Sequence, residues 1–285
     1  MARFPIAYVG LLWAITLTHP VLAADHFTPT TGLQYLKAAS ESVTSCDVSY
    51  RVEFKRSLVS VLDESTHERK VRRPLPGEVF LPETNTYRMI CDRGKYRYES
   101  LDSVTGNIEW ICVIIGSDWR YKEFNGRSGP SFTIRQKTMP PGGSWRDYRE
   151  FLGTHFSDYL LHQMLSDRSS LRTIQDQEGK IILEADPEPD RHISGRLNGY
   201  RVVMNPKLGL MVEELVEIYK GLPKRKNEII EWHPFAKGSF APVRMRATGY
   251  QAADRELPGE VFCTYELLVD VSRSSWNRPI NPSLF

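Results

Sequence analysis

Apolar and polar residues alternate strictly from Val48 to Lys55, so that Val48, Tyr50, Val52 and Phe54 share one face while Ser49, Arg51, Glu53 and Lys55 share the other. A period of two predicts a strand with one buried and one wetted surface. Further runs follow at Tyr87–Cys91, then through Tyr96 and Tyr98, at Ile108–Ile115 and at Trp119–Phe124. They are separated by turn residues at Asp92-Arg93-Gly94 and Thr105-Gly106, with Asn125-Gly126 after the last. Connections this short join antiparallel neighbours, which predicts a meander. Later runs at Leu171–Gln175, Lys180–Ala185, Tyr200–Met204, Leu210–Ile218, Asn227–Trp232, Val243–Gln251 and Val261–Val271 continue it. Leu208–Tyr219 also fits helical spacing, but its strand neighbours favour a strand.

Two segments follow the helical period. Thr31 is placed to cap a short helix with Leu33, Leu36 and Val43 on one face. Ser144-Trp145-Arg146-Asp147, after Pro140-Pro141-Gly142-Gly143, has the form of a capping box. Tyr148, Leu152, Phe156, Tyr159 and Gln163 then predict a helix to about Ser166. Residues 60–82, polar, basic and punctuated by Pro and Gly, read as a long mobile loop. The pattern predicts a mainly β (α+β) chain whose single antiparallel sheet curls around a few helices.

The N-terminus changes the setting. Arg3, an apolar run from Ile6 through Leu17, Pro20 and then Val21-Leu22-Ala23 have the three-part form of a secretory signal, predicting cleavage after Ala23 and a mature domain at 24–285. The run is shorter than the roughly 20 residues that cross a bilayer. Export places the mature chain in the periplasm or outside the cell. Lys plus Arg number 37 against 35 Asp plus Glu, too even a balance for a nucleic-acid surface. The clusters Arg69-Lys70-Arg72-Arg73 and Lys224-Arg225-Lys226 sit among polar, Pro or Gly residues and read as solvated loops.

Cys46, Cys91, Cys112 and Cys263 all lie in the exported part, where an even number favours disulfides in one of three pairings, with buried free thiols as the alternative. Antiparallel pairing of the first two strands would bring Cys46 to Cys91, leaving Cys112 with Cys263. Their spacing is unlike that of a zinc site. No hydrolase, phosphate-loop or dinucleotide signature is present. His155, Asp158 and His162 at i, i+3 and i+7 would align on a helix and offer a zinc site. Residues bridging core and solvent account for the same pattern, and no cofactor, metal or catalytic activity is expected. Asp186–Asp190 lacks the glycine and spacing of a calcium loop. Tyr50, Phe54, Tyr96, Tyr98, Trp110, Trp119, Tyr121, Trp232 and Tyr265 fall in predicted strands, which fits a filled β core or an apolar groove equally.

The order of several segments carries a family resemblance. Asp92-Arg93-Gly94-Lys95-Tyr96-Arg97-Tyr98, Asn205-Pro206-Lys207-Leu208-Gly209-Leu210, Glu228-Ile229-Ile230-Glu231-Trp232, Phe240-Ala241-Pro242-Val243-Arg244 and the closing Ile280–Phe285 together resemble exported proteins of planctomycete-type bacteria related to the LolA/LolB-like lipoprotein carriers. The resemblance implies an open half-barrel with helices on its concave side and an apolar cavity, which in the carriers holds acyl chains. On that reading Val48, Tyr50, Val52, Phe54, Tyr96 and Tyr98, with Leu152 and Phe156 from the helix, would contact a lipid or another apolar ligand. The protein would be a monomer without nucleic acid, touching envelope membranes or proteins peripherally. An envelope protein-interaction or sensor module is the rival, and a secreted metal-dependent hydrolase using His155, Asp158 and His162 is a third.

Overall fold

The alternation around Val48 becomes a long strand whose even-numbered side chains turn inward. The computed structural model describes residues 27–63, 68–115, 118–123, 133–136, 155–156, 159–189, 197–209, 211–236 and 239–285. Helix α1 spans Pro29–Ser42, followed by β1 (Ser45–Arg56), β2 (Val59–Asp63), β3 (Glu68–Arg72), β4 (Glu83–Asp92), β5 (Lys95–Leu101), β6 (Ile108–Ile115), β7 (Asp118–Glu123) and β8 (Thr133–Gln136). Then come β9 (His155–Phe156), β10 (Tyr159–Leu160), helix α2 (Leu161–Ser166), β11 (Arg172–Gln175), β12 (Ile181–Pro189), β13 (Leu197–Asn205), β14 (Met211–Tyr219), β15 (Leu222–Ala236), β16 (Ser239–Tyr250), β17 (Val261–Val269) and β18 (Ser275–Trp276).

The main sheet is antiparallel throughout and runs β11-β12-β13-β14-β15-β16-β17-β1-β4-β5-β6-β7-β8, with β18 also on β1. Chain order is kept except at one point: β1 lies between β17 and β4, joining the last long strand to the N-terminal meander. The sheet is not closed, and its curvature makes it a half-barrel. Tight connections set the register. Arg93 and Gly94, with φ of 47° and 81°, close β4 onto β5, and Lys220 and Gly221, at 49° and 78°, close β14 onto β15. Two successive residues with positive φ give the turn whose twist matches a right-handed hairpin.

Two apolar clusters form on the inner face. One joins β1 and β4 to β15–β17 through Val48, Tyr50, Met89, Met245 and Leu267. The other packs Leu36 of α1 and Leu161, Met164 and Leu165 of α2 onto Leu183, Tyr200, Val202 and Met204. Complete burial of each such side chain stabilises by about 1.5–3 kcal/mol. α1 approaches the sheet closely because its buried stripe includes small residues, Gly32 and Ala39. A Cβ at Gly32 would lie 2.6 Å from Leu183 Cδ2. The outer face carries charge ladders. Arg201 reaches Glu184 at 3.5 Å and Glu214 at 2.7 Å, and Lys226 bridges Glu214 and Glu228 at 2.8 Å each.

Several sequence expectations are corrected. Thr28, not Thr31, caps α1: its side chain accepts from the Thr31 N–H at 3.2 Å, and Val43 lies past the helix end. Within 60–82 stands a hairpin, β2 on β3, registered from Val59↔Arg72 to Asp63↔Glu68. Val59, Val61 and Val71 supply the β-branched content that the surrounding charge obscures. The expected helix reaching Ser166 is helical among the described residues only from Leu161, since β9 and β10 pair Phe156 with Tyr159 and His155 with Leu160. Ser and Asp, which occupy positions 157 and 158, favour turns over helix interiors. Residues 144–154 lie outside the described residues. Asp186–Pro189 belong to β12 beyond a bulge rather than to a loop.

Candidate functional site

Residues directly opposite across neighbouring strands project to the same face of a sheet. The registers therefore build the inner face in rows: Cys46–Cys91–Tyr96–Ile114, Val48–Met89–Tyr98–Cys112 and Tyr50–Tyr87–Ser100–Trp110. A fourth row runs Phe54–Tyr265–Ala247–Asn227. Val48, Tyr50, Val52, Phe54, Tyr96 and Tyr98 thus share one face. Of the expected helical contacts, Phe156 stands in β9 rather than in a helix, and Leu152 lies outside the described residues.

Depth divides this face. Val48, Tyr50 and Val52 are at most 2% exposed. Phe54, Tyr96, Tyr98, Trp110 and Tyr265 are half-buried. Aromatic contacts link the two levels, with Tyr50 and Tyr87 5.7 Å apart between ring centroids and Tyr87 and Trp110 6.1 Å apart. At the other end Phe54 lies 4.6 Å from Tyr265, and the Arg56 guanidinium sits 5.6 Å from the Phe54 ring. These separations fall in the range where tilted aromatic pairs attract beyond simple burial. Among the described residues, helices α1 and α2 pack on the β12–β14 part of the face and leave this aromatic part to the sheet itself.

A polar patch interrupts the apolar lining between the two clusters. Glu217 and Arg225 face each other across β14 and β15, both buried, and Lys224 Nζ donates to Glu217 at 2.6 Å. Arg225 Nε donates to Asn227 Oδ1 at 3.2 Å. Buried charge is tolerated only when it is paired and hydrogen-bonded, and these contacts meet that need.

Cys46 stands directly opposite Cys91, where antiparallel pairing was expected to bring it. Cys112 and Cys263 are not brought together. Strands β1, β4 and β5 separate their strands, and through the registers they align with Val48 and Arg56, eight residues or about 26 Å apart along β1. All four cysteines are buried thiols. The helical stripe of His155, Asp158 and His162 does not form, because His155 is in a strand while His162 is in α2. Asp158 lies outside the described residues. The charges felt by His162 are those of Lys37 and Glu41 on α1, and burial, the larger effect, holds its pKa below 6.5. No cluster of metal-ligating side chains occurs among the described residues.

Tyr87, Met89 and Leu267 complete the face, although only strand pairing reveals it. Tyr87 and Met89 share the period-two alternation with Cys91, a signal that the sequence carried without marking which face was inward.

Among solved structures, a Vibrio parahaemolyticus protein domain named for outer membrane lipoprotein sorting superposes with a TM-score of 0.50 at 13% identity, over 90% of this chain and 96% of that one. A LolA superfamily protein from Nitrosomonas europaea gives a TM-score of 0.49 at 8% identity, over 91% and 98%. At such identities the likeness is one of fold alone, shared with the Vibrio domain. No protein-family model and no curated protein matches the sequence.

Proposed function

We propose that this chain is a non-catalytic binding or carrier module that works outside the cytoplasm as a monomer and holds a lipid or another apolar ligand against its inner face. The observation that carries the reading is the depth gradient. Buried Val48, Tyr50 and Val52 form a floor, and half-buried Phe54, Tyr96, Tyr98, Trp110 and Tyr265 form a rim of aromatic surface. Aromatic rings offer large apolar area at small rotamer cost, and apolar ligand sites are commonly lined this way. The fold shared with a domain named for outer membrane lipoprotein sorting and the secretory form of residues 1–23 support the same reading, with maturation at Ala24.

A fluorescent fatty acid titrated into the purified protein tests it. Saturable binding is expected, with Phe54→Asp losing at least ten-fold in affinity while keeping the wild-type circular dichroism. A wild type that binds no probe refutes the reading.

One observation favours envelope contacts in addition. Beside the β2–β3 hairpin, Leu75, Val79 and Leu81 are exposed at 61%, 79% and 83%. They follow in the chain directly after the hairpin, whose Val61 and Lys70–Arg72 line a cleft of about 700 Å3 together with Arg73 and Glu256-Leu257. Exposed apolar groups so close together are typical of contact surfaces. Replacing Val79 and Leu81 with Ser should leave probe binding intact and weaken sedimentation with envelope membranes.

A further inference from the structure

Cys46 and Cys91 are the only two of the four cysteines that the described sheet places opposite each other. The pair is a hydrogen-bonded one. Arg93 N donates to Thr44 O at 2.9 Å and Asn277 N donates to Ser45 O at 2.7 Å. Alternation along β1 therefore aims the backbone groups of residue 46 at β4. Residues exchanging both backbone bonds have Cα atoms about 5.5 Å apart, inside the window of about 4.4–6.8 Å that a disulfide spans. Both thiols project to the inner face, with Tyr96 opposite Cys91 and Trp276 opposite Cys46. Cys112 pairs instead with Tyr98, and Cys263 with Arg56 and Gly249.

We propose that Cys46 and Cys91 are a disulfide site, closed during folding by thiol–disulfide exchange, which ties the entry of β1 to the exit of β4. One thiolate attacks a small-molecule disulfide such as oxidised glutathione, forming a mixed disulfide and releasing one glutathione thiol. The second cysteine then displaces the other glutathione as its thiol. Two electrons pass to the oxidant, and the two cysteine protons end on two glutathione thiols.

Timing follows from burial. Cys46 and Cys91 are 1% and 7% exposed in the folded chain, and the hydrogen bond from the neighbouring thiol, with burial second, raises the Cys46 pKa well above its ordinary value. Thiolate is thus scarce and oxidant excluded once β1 has docked, so closure belongs to the folding chain. The bond would span a loop of about 45 residues, long enough for a sizeable constraint on the unfolded chain. In the cell the inference rests on export, because only an oxidising compartment supplies the oxidant.

The test is oxidative refolding. Protein purified from the producing cell is unfolded, reduced, and refolded in a glutathione redox buffer. It is then alkylated under denaturing conditions and mapped without reduction. The expected product is a Cys46–Cys91 linked peptide with Cys112 and Cys263 alkylated. Its melting temperature should fall by about 5 °C or more on reduction. Cys91→Ser should lose both the link and this redox dependence, whereas Cys112→Ser/Cys263→Ser should keep them. A refolded protein with four alkylated cysteines, or with another pair joined, overturns the proposal. Failure in vitro sinks the pair itself. A link that forms in vitro but is missing from the envelope fraction sinks only the export reading.

Discussion

Leu36 is the side chain through which α1 meets the sheet, and its removal tests whether that helix is part of the folded unit. It is 1% exposed and shares a cluster with Leu161 and Leu165 of α2 and with Leu183, Val202 and Met204 of the sheet. Leu36→Ala deletes three carbons among neighbours that are themselves almost wholly buried. The sheet wall is held by ladders on both sides, so it cannot collapse into the gap. Buried Leu→Ala changes cost about 2–5 kcal/mol, combining lost transfer energy with the cavity left behind. α1 lies on one side of the sheet and can settle slightly, which places the expected loss near 3 kcal/mol in the lower half of that range. For a domain of this size that is a fall of about 6–12 °C in melting temperature. Urea unfolding followed by far-UV circular dichroism should show a lower midpoint with an unchanged slope. Lys37→Ala, one residue on and exposed, serves as the control and should change stability by less than about 0.5 kcal/mol. A Leu36→Ala loss below about 1 kcal/mol, or one no larger than the control's, would refute the packing described.

The depth gradient makes a paired expectation: Tyr50→Ala should cost about 3–5 kcal/mol in urea unfolding, whereas Phe54→Ala should cost markedly less and weaken fatty-acid binding instead. Equal stability losses would show that the two rings lie at one depth. Glu99, 2% exposed, is held by Arg97 at 2.6 Å and Arg88 at 3.5 Å, and Arg97 also donates to Leu284 O at 2.8 Å. Glu99→Gln keeps the shape but takes the paired carboxylate from Arg97, while Arg88 keeps its two-point pairing with Asp47 at 2.7 and 2.8 Å. Because Arg88 stays paired and Arg97 keeps its bond to Leu284 O, the loss is discounted to about 2–3 kcal/mol, and faster hydrogen exchange around Ile90 should accompany it. His162 has its pKa lowered from 6.5, first by burial and then by Lys37, so the unfolded chain binds a proton more readily than the folded one. Stability should therefore fall as pH drops below about 6.5, and the midpoint of His162→Gln should fall less between pH 7 and 5. Glu260 and Glu78 are held below 4.5 by hydrogen bonds from Arg73 and Arg72. Their contribution is present above that value and lost as pH falls through the folded pKa values, so amide exchange in β3 should rise in acid before exchange in β1 does.

By itself the sequence determined what neighbouring residues can encode. The period of two in β1 set its inward side chains, and Gly94 beside Arg93 set the hairpin that brings Tyr96 and Tyr98 back on the same face. Antiparallel order was enough to bring Cys46 opposite Cys91. Elsewhere local signals were ambiguous: valines hidden among charges concealed the β2–β3 hairpin, and helical spacing through His155 gave way to the β9–β10 pairing. Only the tertiary structure decided which alternating faces are covered. Ile90 is on the outer face opposite Asp47 yet fully buried, and Arg97, opposite it on β5, donates to Leu284 O of the C-terminal segment at 2.8 Å. Tyr50 is closed over while Phe54, four residues on, keeps a half-open edge. The physical reason is range. Dihedral preference and side-chain period are fixed within a few residues, whereas docking β1 between β4 and β17, and hence the depth of every ring on the face, depends on partners more than two hundred residues away.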